Sequence, residues 1–233
     1  MNVDAFLNDL RKHPDYAGQI AHVHDEPARG ATYAPADNPR SDFLRNVLRR
    51  IGIDALYRHQ GEALQHIEAG EDILVATGTA SGKTLCYALP ILAALHDDPT
   101  ARALLLFPTK ALCQDQFAKF KTLLDAAGLN HILAGVYDGD TPSPLRRRLR
   151  DSAGVVFSNP DMLHAGIMPQ HGRWAEFLGR LRILVLDELH VYSGIFGSNM
   201  AHVLQRFSRL CEHYGSAPLL VACSATIANP KDL

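Results

Sequence analysis

The chain has 233 residues, of which 47% are hydrophobic, and its formal net charge at pH 7 is −2. This length and apolar content suit one large α/β domain better than two small domains. The slightly acidic balance excludes a protein that holds nucleic acid by bulk positive charge. The apolar runs are shorter than the roughly 20 residues of a membrane-spanning helix, and the charged N-terminal region predicts no signal peptide.

The four cysteines stand singly in apolar stretches, and none belongs to a Cys-x-x-Cys pair. Isolated cysteines of this kind are typical of reduced thiols in the core of an intracellular protein. We therefore expect a cytoplasmic protein that does not associate with a membrane. The residues concerned are Cys86, Cys113, Cys211 and Cys223.

The first 40 residues are predicted to be an N-terminal extension to a single domain at residues 41–233. Within this extension, residues 2–13 have the apolar spacing of a short amphipathic helix. Residues 22–40 contain three prolines and one glycine and predict a surface loop. Ser41 is the predicted N-cap of the helix that follows.

Beyond residue 54, short apolar runs alternate with longer helical segments. Continuous apolar runs indicate strands that are buried on both faces, and the intervening segments are long enough for right-handed crossovers. We predict an α/β fold in which a mostly parallel sheet is covered by helices on both faces. Ligands of such sheets bind at the carboxyl ends of the strands. The predicted strands are residues 73–76, 103–107, 131–136, 154–157, 181–186 and 219–223.

The strongest motif follows the first predicted strand and opens the next predicted helix. This is the context of a phosphate-binding loop, whose backbone N–H groups and helix N-terminus surround phosphate oxygens. Its lysine supplies a charge for the β and γ phosphates, and its last hydroxyl is a Mg²⁺ ligand. The strict pattern begins with glycine rather than threonine, and the alternative is a glycine-rich turn without a ligand. The residues are Thr77, Gly78, Thr79, Ala80, Ser81, Gly82, Lys83 and Thr84.

Two acidic residues, Asp187 and Glu188, directly follow the fifth predicted strand. A carboxylate at this place can hold Mg²⁺ together with Thr84, and the next carboxylate can polarise an attacking water. Phosphoryl transfer needs mainly positioning and charge stabilisation, so Asp187, Glu188 and Lys83 are the predicted catalytic residues. The alternative is an acidic pair on the surface without a function.

Two hydroxyl residues, Ser224 and Thr226, follow the sixth predicted strand. They are placed to hydrogen bond the acids of the preceding motif, which would couple the state of the nucleotide to the geometry of the domain. A Ser-Ala-Thr tripeptide is weak evidence by itself, and an ordinary turn is the alternative.

In this order, the three motifs resemble those of superfamily 2 helicases. The resemblance implies a RecA-like domain, and further motifs agree with it. Residues 57–60 resemble the Q motif, which implies that Gln60 binds the adenine edge with Tyr57 beside it, and that Arg58 stacks on adenine or reaches a phosphate. Residues 108–112 and 158–163 resemble the motifs that line the single-strand track. The implied nucleic-acid contacts are Thr109, Lys110, Ser158, Asn159 and Asp161.

A narrower resemblance rests on residues 77–87, 137–142, 187–198 and 224–230. These segments are similar to the mitomycin-repair factor A helicases, which are DEAD/DEAH-box proteins. This resemblance implies a 3′-to-5′ DNA helicase of DNA repair that uses ATP and Mg²⁺ on single-stranded or partly duplex DNA. Such helicases also need a second RecA-like domain and have a C-terminal zinc domain. Since the chain contains neither, we expect a truncated helicase that binds nucleotide but hydrolyses it poorly.

Two further segments are candidates for contact with nucleic acid. Thr141 lies in a Gly-Asp-Thr-Pro loop. The loop at residues 190–197 carries Tyr192 and Phe196 together with two glycines and one serine. In RecQ-type helicases an aromatic loop at the corresponding place senses single-stranded DNA, whereas the alternative is that both rings pack under the loop. Other functions left open are an RNA helicase, a translocase that does not unwind, and a nucleotide-binding module without turnover.

Overall fold

The computed structural model describes residues 2–24, 30–39, 41–78 and 81–225. The chain divides into two compact units, Met1–Ala31 and Thr32–Leu233. The first unit contains helix α1 (Val3–Lys12), whose N-cap Asn2 accepts a hydrogen bond from the Ala5 amide. The predicted N-terminal helix is therefore confirmed. Its apolar residues Phe6 and Leu10 are exposed.

The second unit contains the remaining described helices. Ser41 is the N-cap of the first of them, since its hydroxyl accepts a hydrogen bond from the Leu44 amide at 3.4 Å, as predicted. A π-helical turn (Leu163–Ile167) and two 3₁₀ turns (Met168–Trp174 and Leu189–Val191) complete the helical structure. The α-helices are α2 (Asp42–Arg50), α3 (Arg58–Glu68), α4 (Thr84–Asp97), α5 (Lys110–Ala127), α6 (Ser143–Ser152), α7 (Pro160–Met162), α8 (Ala175–Gly179) and α9 (Gly194–His213).

Six strands form one sheet in the order β1-β6-β5-β2-β4-β3, and every pairing in it is parallel. All six predicted strands are confirmed, and only the third is clearly shorter than predicted. It begins late because the Ile132 amide donates to the Leu129 carbonyl and closes a turn there. The strands are β1 (Ile73–Ala76), β2 (Arg102–Leu106), β3 (Ala134–Val136), β4 (Val155–Ser158), β5 (Leu181–Leu186) and β6 (Leu219–Ser224).

Helices cover both faces of this sheet, which confirms the predicted architecture. Leu105 and Phe157 face a core formed with α2, α3, α4 and α5, whereas Leu104 and Val156 face a second core around Trp174. Successive residues of one strand thus enter opposite cores, as the alternation of side chains in a strand requires. Removal of each fully buried large side chain from water stabilises the fold by about 1.5–3 kcal/mol.

The four cysteines are buried and free, as predicted. Burial raises the pKa of the Cys86 and Cys113 thiols to about 12, which keeps both protonated at neutral pH. A search of the described residues finds no helix with the length and hydropathy needed to cross a bilayer.

Candidate functional site

The predicted motifs converge because β1, β6 and β5 are neighbours in the sheet. Thr77 follows β1, and its amide donates to the Ser224 carbonyl at the end of β6. Asp187 follows β5, and its amide donates to the Leu106 carbonyl at the end of β2. The phosphate-loop motif, the Ser-Ala-Thr motif and the acidic pair therefore lie at adjacent carboxyl ends of one sheet.

The described residues of the phosphate-loop motif, 77–78 and 81–84, lead directly into α4. Gly82 has a φ of +79°, which favours glycine. A Cβ at this position would lie 2.6 Å from the side-chain nitrogen of Gln60. The Lys83 ammonium donates to the carbonyls of Thr77 and Gly78 at 3.0 and 2.9 Å, so its charge lies inside the loop. The first turn of α4 begins at the same loop, where the amides of Leu85 and Cys86 donate to the carbonyls of Gly82 and Lys83. A lysine and a helix N-terminus directed at one turn suit phosphate oxygens.

A hydrogen bond joins the hydroxyls of Thr77 and Ser81, which are 2.7 Å apart. Thr79 and Ala80, also predicted to bind nucleotide, lie outside the described residues. Their contribution stays a prediction.

Gln60 links α3 to the phosphate loop. Its side-chain oxygen accepts the Tyr57 amide at 2.9 Å, and its side-chain nitrogen donates to the Gly82 carbonyl at 2.9 Å. The residue is buried, so both bonds replace contacts with water. Gln60 thus sits beside the loop as its motif predicts, and its contact with adenine stays a prediction.

An exposed aromatic stack lies next to this glutamine. The Tyr57 ring stacks on Tyr33 at 5.5 Å and on His59 at 5.9 Å. Arg58 is exposed and pairs with Glu62 on its own helix at 2.7 Å. The sequence indicated Tyr57 and Arg58 but not Tyr33, which joins the stack through an antiparallel bridge to Tyr57.

Asp187 is the most buried of the predicted catalytic groups, with 6% of its surface exposed. Its carboxylate accepts the Glu188 amide at 2.8 Å and the Tyr87 hydroxyl at 3.4 Å. Burial raises the pKa of this carboxyl, and the charge of Glu188 raises it further.

The two predicted Mg²⁺ ligands lie at the same edge of the sheet, since Thr84 is the first residue of α4 after the phosphate loop and Asp187 follows β5. Among the described residues, no group of three or more His, Cys, Asp or Glu side chains could hold a metal. A site with one carboxylate and one hydroxyl suits Mg²⁺, which keeps several waters and binds through substrate phosphates.

Glu188 has an unusual backbone for a residue with a side chain, because its φ of +54° lies in the left-handed region. Its carboxylate lies 3.4 Å from the His190 ring nitrogen. The His190 amide donates to the Ser224 hydroxyl at 3.1 Å, and the same hydroxyl lies 3.4 Å from the His190 ring. Ser224 therefore approaches the acidic pair through His190 rather than directly. The sequence alone indicated no role for His190.

The helix ends predicted to contact nucleic acid are accessible. Thr109 is the N-cap of α5, and Lys110 is exposed and paired with Asp140 at 2.5 Å. Asn159 is the N-cap of α7, where its side chain accepts the Met162 amide at 2.8 Å, and Asp161 is exposed. These four residues stay predicted contacts. They follow the carboxyl ends of β2 and β4, which lie on the same edge of the sheet as the phosphate loop, with β5 and β6 in between.

Two other predicted nucleic-acid contacts, Thr141 and Ser158, are buried. The Thr141 hydroxyl donates to the Val136 carbonyl and accepts the Asp138 amide, and the Ser158 hydroxyl donates to the Tyr137 carbonyl at 2.6 Å. Both hydroxyls support loop backbone from inside, so we propose no contact between their side chains and nucleic acid.

The two aromatic residues of the loop after the acidic pair differ in how exposed they are. Tyr192 is 7% exposed, whereas Phe196 is 43% exposed, and their rings stack at 5.3 Å. Tyr192 therefore packs under the loop, which was the alternative prediction for both rings. Of the two, Phe196 has the surface that a nucleic-acid base could contact. Thr226, the second predicted coupling residue, lies outside the described residues.

Comparison with known proteins agrees with this geometry. Residues 57–233 match the family model described as DEAD/DEAH box helicase, so the chain belongs to the DEAD/DEAH box helicases and its fold is the RecA-like helicase fold. It is 44% identical to the ATP-dependent helicase YprA of Bacillus subtilis, over 92% of this chain and 28% of that protein. It is 40% identical to the ATP-dependent helicase hrq1 of Schizosaccharomyces pombe, over 98% of this chain and 22% of that protein.

Among solved structures, the DUF1998 helicase MrfA bound to DNA and AMPPNP matches with a TM-score of 0.88 at 42% identity. The match covers 98% of this chain and 32% of that chain. The predicted resemblance to the mitomycin-repair factor A helicases is thereby confirmed. The chain spans about a third or less of the length of these relatives.

The buried charge of Asp187 predicts a gain in stability when it is removed. An acid with a raised pKa contributes stability below its unfolded-state pKa and loses it as the pH rises through the folded-state pKa. In EDTA at pH 7, Asp187→Asn should therefore melt at a higher temperature than the unaltered chain, and the difference should shrink at pH 4. The exposed Asp54→Asn is the control and should not change the Tm. A lower Tm for Asp187→Asn at pH 7 would contradict this account of the site.

Proposed function

We propose that this chain is the ATP-binding half of an ATP-dependent motor that acts on DNA. The observation that carries the proposal is the placement of Lys83 after β1 and of Asp187 and Glu188 after β5 at one edge of the sheet, where only β6 separates the two strands. A nucleotide-binding site without turnover would need Lys83 and a Mg²⁺ ligand such as Asp187, but it would not need Glu188, whose proposed role is to orient the attacking water.

Each residue of the site has a separate proposed role in phosphoryl transfer. Lys83 and the N-terminal amides of α4 hold the phosphates, and Thr84 and Asp187 hold Mg²⁺. Bound Mg²⁺ supplies positive charge that offsets the charge of the phosphates. Glu188 orients the attacking water, and His190 holds the Glu188 carboxylate from the side of Ser224. Ser224 and Thr226 then relay the state of the site.

The base of the nucleotide is proposed to lie at the Q motif. Gln60 lies beside Gly82 of the phosphate loop, so a nucleotide held there would bring its base near this amide. Tyr57 offers an exposed ring for stacking, and Arg58 can leave its surface pair with Glu62 at little cost, since solvent screens exposed ion pairs.

The parent protein is proposed to be a 3′-to-5′ DNA helicase of DNA repair. Support comes from the similar MrfA structure, which is bound to DNA, and from the helicase relatives. We propose a cytoplasmic location on the evidence of the buried free cysteines. The partners are single-stranded or partly duplex DNA, a second RecA-like domain and a zinc domain. Tested by themselves, the 233 residues are proposed to bind nucleotide and to hydrolyse it poorly.

Loss of the phosphate-loop lysine tests the nucleotide site. Lys83→Ala should weaken binding of a fluorescent ADP about 10- to 100-fold, because a charge-assisted hydrogen bond contributes about 1.5–3 kcal/mol. Glu188→Gln should bind within about twofold of the unaltered chain, because Glu188 acts on water rather than on the phosphates. Equal affinities of Lys83→Ala and the unaltered chain would exclude a phosphate-binding role for the loop.

The nucleic-acid side is tested with two lysines of one helix. Lys110 at the start of α5 and Lys119 two turns later are both exposed and both paired with an aspartate. Lys110→Ala should weaken binding of a single-stranded DNA, measured by fluorescence anisotropy. It should also lower, by about 1, the magnitude of the slope of log binding constant against log salt concentration. Lys119→Ala should change neither quantity.

An unchanged salt slope in Lys110→Ala would remove this residue from the track. Tighter binding of an RNA of the same sequence than of the DNA would instead favour an RNA helicase. The same binding measurements therefore test two separate points, the role of Lys110 and the preference for DNA over RNA.

A further inference from the structure

A buried glutamine on α5 faces the phosphate loop. Gln116 is 9% exposed, and its side-chain oxygen accepts the Thr84 hydroxyl at 3.2 Å and the Tyr87 hydroxyl at 3.1 Å. Its side-chain nitrogen makes only a long contact of 3.5 Å with Asp115. Two hydroxyl donors on one amide oxygen fix the orientation of the Gln116 side chain.

The bond to Gln116 determines where the proton of Thr84 points. A threonine hydroxyl has one proton and two lone pairs. As a Mg²⁺ ligand it must offer a lone pair, so its proton has to be directed elsewhere. An amide oxygen accepts hydrogen bonds and does not donate them, so Gln116 keeps the Thr84 proton on the α5 side. The lone pairs are then available on the side of the loop.

Tyr87 connects the same glutamine to the second Mg²⁺ candidate. Its hydroxyl lies 3.1 Å from the Gln116 oxygen and 3.4 Å from the Asp187 carboxylate. The Gln116 oxygen and the Asp187 carboxylate only accept hydrogen bonds, so the single proton of Tyr87 is shared between them and connects the Thr84–Gln116 pair to Asp187.

We propose that Gln116 is a positioning residue for Mg²⁺-dependent nucleotide binding and that it acts through the hydroxyl of Thr84. The proposal rests on the proposed function, because it assigns Gln116 to the metal side of that site. Partners of this kind, which touch a ligand rather than the metal, typically change metal affinity or activity about 10- to 100-fold when they are removed. The expected signature is a loss confined to the contribution of Mg²⁺.

The test measures binding of a fluorescent ADP to the 233-residue chain in EDTA and across a titration of Mg²⁺. Gln116→Met keeps the volume of the side chain but removes the acceptor. It should reduce the gain in affinity from Mg²⁺ about tenfold or more, with affinity in EDTA within about twofold of the unaltered chain. Gln116→Glu keeps an acceptor oxygen and should retain the gain. Melting curves identify folded variants, and Gln116→Asn, whose acceptor is withdrawn by one methylene, should show the same selective loss.

A double-mutant cycle separates this role from general packing. Thr84→Val removes the hydroxyl and should abolish most of the Mg²⁺ gain, and Gln116→Met should then reduce it no further. Additive losses in the double variant, or an undiminished Mg²⁺ gain in Gln116→Met and Gln116→Asn, would overturn the role of Gln116. An unaltered chain that binds no nucleotide, or binds it without a Mg²⁺ gain, would overturn the proposed function itself and the role of Gln116 with it.

Discussion

The site depends on the burial of the sheet on both faces. Because helices cover both faces, the strands are buried in apolar cores, and the polar groups of the site lie where the strands end. The strands β1, β6 and β5 end side by side. The order of these strands brings residues far apart in sequence, such as Lys83 and Glu188, to one edge. A parallel sheet of this type binds ligands at its carboxyl edge for the same reason. The helices that cover the faces then supply the supporting groups, such as Gln60 from α3 and Gln116 from α5.

Two features of the site cost stability and are consistent with function. Asp187 is an acid whose pKa is raised by burial, and Glu188 adopts a left-handed backbone conformation. Residues held in sparsely populated backbone conformations cost about 1–3 kcal/mol each and persist where the surroundings fix them. Here the surroundings are the Asp187 carboxylate, which accepts the Glu188 amide, and His190, which approaches the Glu188 side chain.

The sequence was sufficient for the fold and for the motif-bearing strand ends, because both depend on local patterns. Continuous apolar runs identified the six strands, and Ser41 was identified as a cap by its position before an apolar helix. The roles of His190 and Gln116 depend on contacts 34 and 32 residues away in sequence, which no local pattern reports. The burial of Thr141 and Ser158 escaped prediction for the same reason: a polar residue next to a motif has the same sequence signal whether it faces solvent or supports a loop.

The central claim is that three neighbouring strand ends form one nucleotide site, and amide hydrogen exchange of the 233-residue chain tests it most directly. Exchange is compared with and without Mg²⁺ and a non-hydrolysable ATP analogue. The account predicts slower exchange in the phosphate loop at residues 77–84 and at residues 187–190, with little change at residues 137–141 near β3. Unchanged exchange in the phosphate loop, or protection confined to the loop near β3, would contradict it.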